Sequence, residues 1–468
     1  MSKNSHLCPD SSAVPLPMRR VVSTWWPLAL SWFLMAAEGP ALSAVVARLA
    51  DPEINLAAFG VVYSLALIIE APIIMLLSAS TALSKDWDSY RKLRRFMMWL
   101  SAVLTVLHVL IAFTPLYDVV VVGLVRPPAE IVEPARLGLM LLLPWTWAIA
   151  YRRFQQGVLI RFGHSRTVSL GTFVRLGADA IVMIGGYLLA IAPGIPLSVP
   201  GIAVAAAALA VSTTSEAIYA GLRVRPVLRR QVRSAAPVDE PITAPAFIRF
   251  YTPLAMTSLL ALVVQPVGSA ALSRMPQALE SLAVWPVLSG FTFLLRSVGM
   301  AYNEVVIALL DEPRSTRSLR RFAFLLAAVV TALLLVTAAT PLAPVWFQRV
   351  SGLKPHLAAL AHRGLWLALP WPATNVLYSW YQGAVVHSRR TRPVTEAVVI
   401  YLLISSTILW AGVAWGQAVG LNVAVVAFAA GVVAQTVWLW HRSRRAVQAV
   451  EARDEAAALI RASDIAAR

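Results

Sequence analysis

The sequence predicts an all-α polytopic membrane protein with twelve transmembrane helices, arranged as two six-helix bundles that are parallel copies of each other. Three observations carry this. The chain is 59% hydrophobic and only 13% charged, against roughly 45–50% and 25% in soluble domains, so most of its apolar surface belongs in lipid. That surface is divided into segments near the roughly 20 residues that cross a bilayer as helix. The chain also repeats itself: Gly138 to Val168 returns as Gly364 to Val394, 226 positions on, with ten of 31 residues identical and no gap.

Residues 1–18 are polar and are expected to be a disordered tail. The first apolar segment follows with no small-residue cleavage site after it and reads as a retained span. The spans are placed at about 21–47, 56–83, 95–114, 135–160, 167–192, 199–222, 247–273, 281–310, 321–340, 360–386, 393–415 and 418–440. The repeat offset holds at paired anchors: Pro40/Pro266, Arg48/Arg274, Phe96/Phe322, Thr114-Pro115/Thr340-Pro341, Pro144/Pro370, Trp145/Trp371, Gln156/Gln382 and Gly157/Gly383. Apolar composition alone does not place Pro, Trp and Gln-Gly pairs in one register. Equivalent helices are six spans apart, an even number, so the two copies share one orientation, as repeats about an axis along the membrane normal. Near the end the register shifts, and Gly201 aligns with Gly420. The bundles are assigned to 19–223 and 247–445, with a Pro-rich linker at 224–246 and a charged helical tail at 446–468.

The loops set the expected sidedness. The N-terminal tail, alternate loops and the C-terminal tail hold 3, 5, 2, 5, 4, 3 and 6 Lys and Arg, or 28 of 40, and the opposite loops hold seven. By the positive-inside rule both termini are expected in the cytoplasm. The same count accounts for the formal charge of +17 through topology and anionic lipid, so no nucleic-acid partner is expected. The lone Cys8 excludes an internal disulfide and a cysteine-based metal site. No Walker loop, His-Glu-x-x-His helix or nucleophile elbow is present, so neither an ATP motor nor an enzyme is expected. No metal and no cofactor is expected beyond a coupling proton or sodium ion.

Ionisable side chains inside spans mark the candidate site, since each costs about 2.5–3.5 kcal/mol on insertion scales. Glu38 sits beside the helix-weakening Gly39-Pro40, and Glu70 lies mid-span next to Pro72. A carboxylate in low dielectric can exchange a proton or hold a cation, as gradient-driven transport requires. Adding 226 to Glu70 gives Arg296, so the two are expected to face each other across the pseudo-twofold axis. Arg296, a permanent cation, would meet an anionic group, or the two would form a salt bridge that closes the cavity, or each would pair within its own lobe. Arg153, Gln156 and Gln382 complete the candidate cavity set. For Gln156 and Gln382, helix packing at the following glycine with an interhelical amide bond weighs equally. Arg175 and Asp179 are four apart and are expected to pair. Glu216 and Glu304 are expected at the membrane interface, and Trp25, Trp26, Trp99 and Trp346 as interface anchors. His108 is expected to be structural.

Glu38-Gly-Pro-Ala-Leu-Ser, Ala58-Phe-Gly-Val-Val-Tyr-Ser-Leu and Leu107-His-Val-Leu-Ile-Ala-Phe resemble stretches of the progressive ankylosis family. That family is a branch of the superfamily of multidrug and toxic compound extruders and oligosaccharide-lipid flippases. Pro144 to Gly157 and Pro370 to Gly383 also fit its fourth and tenth spans, and the Gly-x-x-x-Asp-Arg loop of major facilitators is absent after the second span. The resemblance implies two bundles in a V around a central cavity, in a bacterial inner or plasma membrane. It further implies a cation-coupled exporter of small organic molecules or drugs, organic or phosphorylated anions among them, acting as a monomer. A flippase for a lipid-linked pyrophosphate precursor, and an intramembrane lipid-modifying enzyme, are the other functions weighed.

Overall fold

The computed structural model describes residues 16–192, 199–238, 243–310, 312, 314–388 and 392–466, and these form helices and connecting turns with no strand among them. Cys8 and most of the N-terminal tail fall outside the described residues, as does part of the linker. In the first half, α1 is Met18–Ala36 continued by Glu38–Val46, α2 is Pro52–Ile74 continued by Leu76–Leu83, and α3 is Trp87–Phe113. Then α4 is Val132–Leu141 continued by Leu143–Arg161, α5 is Ser165–Ile191 and α6 is Gly201–Val227. In the second half, α7 is Ala244–Leu262 continued by Val264–Leu272, α8 is Ala278–Leu309 and α9 is Ser315–Ala339. Finally α10 is Pro355–Leu367 continued by Pro370–His387, α11 is Arg392–Trp415 and α12 is Gly420–Ala466. Ten of these rods are long and apolar enough to cross a membrane. The other two, α4 and α10, are each broken near mid-course, and α4 carries Arg152 and Arg153.

The breaks follow from paired prolines. A proline has no N–H to give the carbonyl four residues back and its ring clashes there. Pro40 and Pro266 stand four residues after Ala36 and Leu262, where α1 and α7 break. Pro144 and Pro370 open the second parts of α4 and α10, at positions where a proline starts a helix without loss. The residue before a proline is pushed to extended backbone, and this stops α3 and α9 alike: Thr114 has φ −115° and ψ 172°, Thr340 φ −119° and ψ 171°. The duplication read in the sequence is therefore also a duplication of backbone events.

Each half packs its α4 and α6, or α10 and α12, around one lobe core. Glycines allow the closest approaches. A Cβ on Gly157 would lie 2.7 Å from the Leu77 carbonyl oxygen in α2, and one on Gly383 would lie 2.7 Å from Val306 Cβ in α8. The first helices depart from the lobe boundaries expected from sequence. The Met18–Ala36 part of α1 packs on α8 and α9 of the second half, and Ala244–Leu262 of α7 packs on α2 of the first. The exchange is reciprocal. Trp25 Nε1 donates to the Val298 carbonyl at 2.9 Å, and Tyr251 Oη donates to the Pro72 carbonyl, the position 226 earlier. Trp25 meets Phe322 edge-on at 5.4 Å, and Tyr251 meets Phe96 at 5.0 Å. Trp25 thus joins the lobes instead of anchoring at an interface, whereas Trp26 and Trp99 are exposed, at 59% and 68%. The expected separate tail helix at 446–468 is a continuation of α12 through Ala466.

Asp86 caps α3 by accepting from Ser89 N at 2.9 Å and also holds the linker through Val238 N at 3.3 Å. Burial pushes its carboxyl up, but the hydrogen bonds from Ser89 and Val238 outweigh this and hold it below the ordinary aspartate value. Its stabilising contribution is therefore present at neutral pH and is lost as the pH falls through the lowered value. Asp86→Ala should cost about 1 kcal/mol, read as a lower thermal midpoint at neutral pH that converges with the parent chain in acid. Gly157→Ala should destabilise by about 1–3 kcal/mol through overpacking. Gly177→Ala, whose Cβ meets nothing within 4 Å, should be neutral or stabilising in the same melting assay.

Candidate functional site

A chamber of about 380 Å³ lies where the two lobes meet. The broken helices open onto it: Ala36 and Glu38 flank the break in α1, and Leu262 and Gln265 the break in α7. Aromatic side chains line much of the remainder, with Phe59 and Tyr63 on one side and Trp285, Phe293, Trp371, Tyr401 and Phe428 on the other. Two ionisable groups of opposite sign reach its walls, Glu38 from the first half and Arg296 from the second.

The two walls are built differently. Glu38 Oε2 accepts from Arg175 Nη1 at 2.6 Å, and Arg175 Nε lies 3.5 Å from Glu216 Oε2. Glu216 in turn accepts from Arg152 Nη1, and from Gln156 Nε2 at 2.9 Å. Behind this chain, Asp179 is 1% exposed, and neither of its carboxylate oxygens bonds to any described residue. Glu70, 3% exposed, lies within electrostatic reach of Arg152 and Arg153. The network thus gathers four acids (Glu38, Glu70, Asp179, Glu216) against three arginines (Arg152, Arg153, Arg175), an excess of one negative charge when all are ionised. Such an excess, away from water, calls for one proton or one monovalent cation.

The second wall contains no acid. At the positions 226 residues after Glu38, Glu70, Arg152, Arg153, Arg175 and Asp179 stand Val264, Arg296, Tyr378, Ser379, Tyr401 and Ser405. Arg296 has no ion-pair or hydrogen-bond partner among the described residues, and its Nε is buried without one. The guanidinium lies 5.7 Å from the Trp371 ring centroid, a cation–π distance. Trp371 Nε1 is also a buried donor without an acceptor. One wall is therefore a charged network with a carboxylate at its edge and several buried polar atoms, Asp179's among them, without a bonded partner, and the other is a free cation in an aromatic box.

Several expectations are corrected here. Glu70 is not among the chamber-lining residues and does not face Arg296. The two helices also differ beyond this point: α2 breaks at Met75, shortly after Pro72, whereas α8 runs unbroken. Arg153 and Gln156 lie inside the first lobe, and it is Arg152 that makes the ion pair. Gln382 is half-buried, makes no side-chain hydrogen bond among the described residues and does not line the chamber. Arg175 pairs with Glu38 and Glu216, leaving Asp179, its neighbour one turn on, without a partner. Glu216 is 1% exposed at the centre of the network, away from any interface. Sequence reading missed that Arg175 joins Glu38 and Glu216, because both of its partners lie on other helices. His108, fully buried, shares a hydrogen bond of 2.9 Å with Thr146 Oγ1.

No family model matches the chain, and no curated protein does. Solved structures match its fold. A multidrug resistance MATE family transporter of the MOP superfamily, in its inward-facing conformation, superposes with a TM-score of 0.70 at 14% identity, over 92% of this chain and 99% of that one. An outward-facing structure described in the same words gives 0.57 at 15%, over 93% and 96%. The lipid II flippase MurJ, inward closed, gives 0.67 at 12%, over 91% and 90%. The fold is therefore MATE-like.

Glu216→Ala should leave the Arg152 and Arg175 guanidinium groups buried without their shared acid, a loss of about 3–5 kcal/mol for a broken buried pair. Asp179→Asn removes no bond and should change stability little. Thermal unfolding of the two variants in one detergent checks the contrast.

Proposed function

We propose that this chain is a secondary active exporter of small organic molecules that works by alternating access and is driven by a cation gradient. The observation that carries the reading is the chamber between two pseudo-symmetric lobes, with a charge-imbalanced acid network behind one wall and an unpaired arginine in the other. The network supplies the coupling. Its single excess negative charge suits the binding of one proton or one sodium ion, and Glu38 links that binding to the chamber because its carboxylate belongs to both. The second wall supplies substrate recognition. Arg296 and the Trp371 N–H donate towards a negative group, while the aromatic rings contact an apolar body, so organic and phosphorylated anions are the favoured cargo. A MATE family transporter and the lipid II flippase MurJ share this fold, over 92% and 91% of this chain. The basic loops favour a membrane orientation with both termini in the cytoplasm.

The alternative is a flippase for a lipid-linked pyrophosphate precursor, which the likeness to MurJ and the free Arg296 favour. An apolar groove of about 500 Å³ between α4 and α6, with Arg225 at one end, could hold a lipid chain. It shares no lining residue with the chamber, and a flippase needs the two continuous, so the exporter reading is preferred.

Flux into proteoliposomes under separate proton and sodium gradients tests the proposal against candidate organic anions, cationic dyes and a fluorescent lipid-linked pyrophosphate. Arg296→Ala should lower anion flux at least tenfold, the loss expected for one charged hydrogen bond of about 1.5–3 kcal/mol. Glu38→Gln should uncouple flux from the gradient while substrate still binds. Wild-type flux in both variants overturns the assignment, and gradient-independent movement of the lipid-linked probe alone selects the flippase.

A further inference from the structure

We propose that Arg48 and Arg274 form a reciprocal latch that holds the two lobes shut at the end of the chamber opposite the chain termini, and that this latch must release each time the chamber opens there. The proposal rests on the alternating-access reading. Arg48 follows the last turn of α1, and Arg274 stands at the same place after α7. Arg48 Nη1 donates to its own helix end at Ala44 O (2.6 Å), and its Nη2 donates to Arg349 O (2.5 Å) and Val350 O (2.9 Å) in the other half. Arg274 does the same in reverse. Its Nη1 donates to Ala270 O (2.5 Å) and Val125 O (3.1 Å), and its Nη2 to Leu124 O (2.5 Å). Ala44 and Ala270, and Leu124 and Val350, are pairs 226 apart.

The chemistry of the contact is specific. Both targets are the last carbonyls of a wide π-type turn, Asp118–Val125 in one half and Val345–Val350 in the other. Each latch therefore brings two helix C-termini together, and these carry like partial negative charge. A guanidinium between them supplies donors to both sets of carbonyls and offsets their repulsion. Lysine, a point charge without a planar fork, fits less well. The backbone is shaped to present the carbonyls: Arg126 (φ 55°) and Gly352 (φ +74°), again 226 apart, turn the chain in left-handed conformations just past the π turns. A Cβ on Gly352 would lie 3.0 Å from Arg48 Nη1, so the smallest residue stands where the Arg48 side chain crosses. One side has an added ion pair, Lys354 Nζ to Glu53 Oε1 at 2.8 Å.

Below the latch, Ser269 Oγ bonds Ser64 Oγ at 3.2 Å across the lobes, next to the chamber. The closed end is thus layered, with the two arginines outermost. The latch bonds are guanidinium to carbonyl and contain no acid; Glu53, paired with Lys354 and 3.6 Å from His356 Nε2, is the acid beside them. Release must come from movement of α1 and α7, whose breaks at Ala37 and Val263 lie at the chamber wall.

The test uses a Cys8→Ser background with a reporter Ser289→Cys in the chamber and a membrane-impermeant thiol reagent added to the face opposite the termini. Arg48→Ala with Arg274→Ala should raise the labelling rate about tenfold or more, since each charged hydrogen bond lost shifts the equilibrium by about that factor. Arg48→Lys with Arg274→Lys should fall between this and the parent. Arg363→Ala, which removes an exposed arginine from the first part of α10, should leave the rate unchanged. Parent-rate labelling in the double alanine variant, or equal acceleration in Arg363→Ala, overturns the proposal. A second measurement reads the Arg274 arm by itself, since a side chain at Gly352 crowds Arg48. Ala47→Cys with Gly352→Cys places Cβ atoms 3.3 Å apart, and oxidant should cross-link them quickly. Adding Arg274→Ala should slow that cross-link, and an unchanged rate overturns the latch. Neither measurement needs a substrate, so failure of the latch and failure of the export reading remain separable.

Discussion

A helix that breaks inside a membrane leaves carbonyls and N–H groups that lipid cannot satisfy, and this fold is arranged around where its breaks are allowed. Pro40 and Pro266 interrupt α1 and α7 at one level, the level of the central chamber. The breaks are tolerated there because they face a cavity instead of hydrocarbon. They also divide each first helix into a part held by its own lobe and a part carried by the other. A chain folded this way has two joints at mid-height and reciprocal contacts on either side of them. Trp25 and Tyr251 make those contacts near one face and Arg48 and Arg274 near the other.

Duplication supplied two equal walls, and substitution made them unequal. Where the first half carries Arg175, the second carries Tyr401, and where the first carries Glu70, the second carries Arg296. The first half gathers four acids and three arginines, with one charge unbalanced and several polar atoms unbonded among the described residues. The second has no acid at the equivalent positions and holds a guanidinium against Trp371. Buried charge is costly unless paired. The paired side can therefore be packed and rigid, whereas the unpaired side is stable only because it borders a chamber. That difference assigns the two walls different work.

The contacts between lobes are chosen for reversibility. Apart from Ser64 with Ser269 and the ion pair of Lys354 with Glu53, the lobe-crossing bonds described above run from a side chain to a backbone carbonyl. A carbonyl released from such a bond at the membrane surface can return to water without an orphaned partner charge. The acid network, by contrast, stays within the first half, where breaking it would strand charge in a low-dielectric interior. The buried acid network is thus kept within one lobe, while the ion pair that crosses between lobes at the closed end, Lys354 with Glu53, has a half-exposed lysine.

The sequence by itself determined the helical membrane class, the duplication, and the prolines that stop or break helices. These depend on local chemistry and on a fixed offset, and both are visible in one dimension. It also marked Glu38 and Arg296, since an ionisable residue in an apolar segment needs a reason wherever it points. Only the tertiary structure decided which way each one points. Glu70 turns into its lobe, Arg175 passes over Asp179 to reach Glu38, Glu216 becomes the centre of a network, and the first helices cross between lobes. The physical reason is that helical periodicity places residues on one helix's own faces. A salt bridge between helices depends on their rotation and crossing, which close packing sets over the whole bundle.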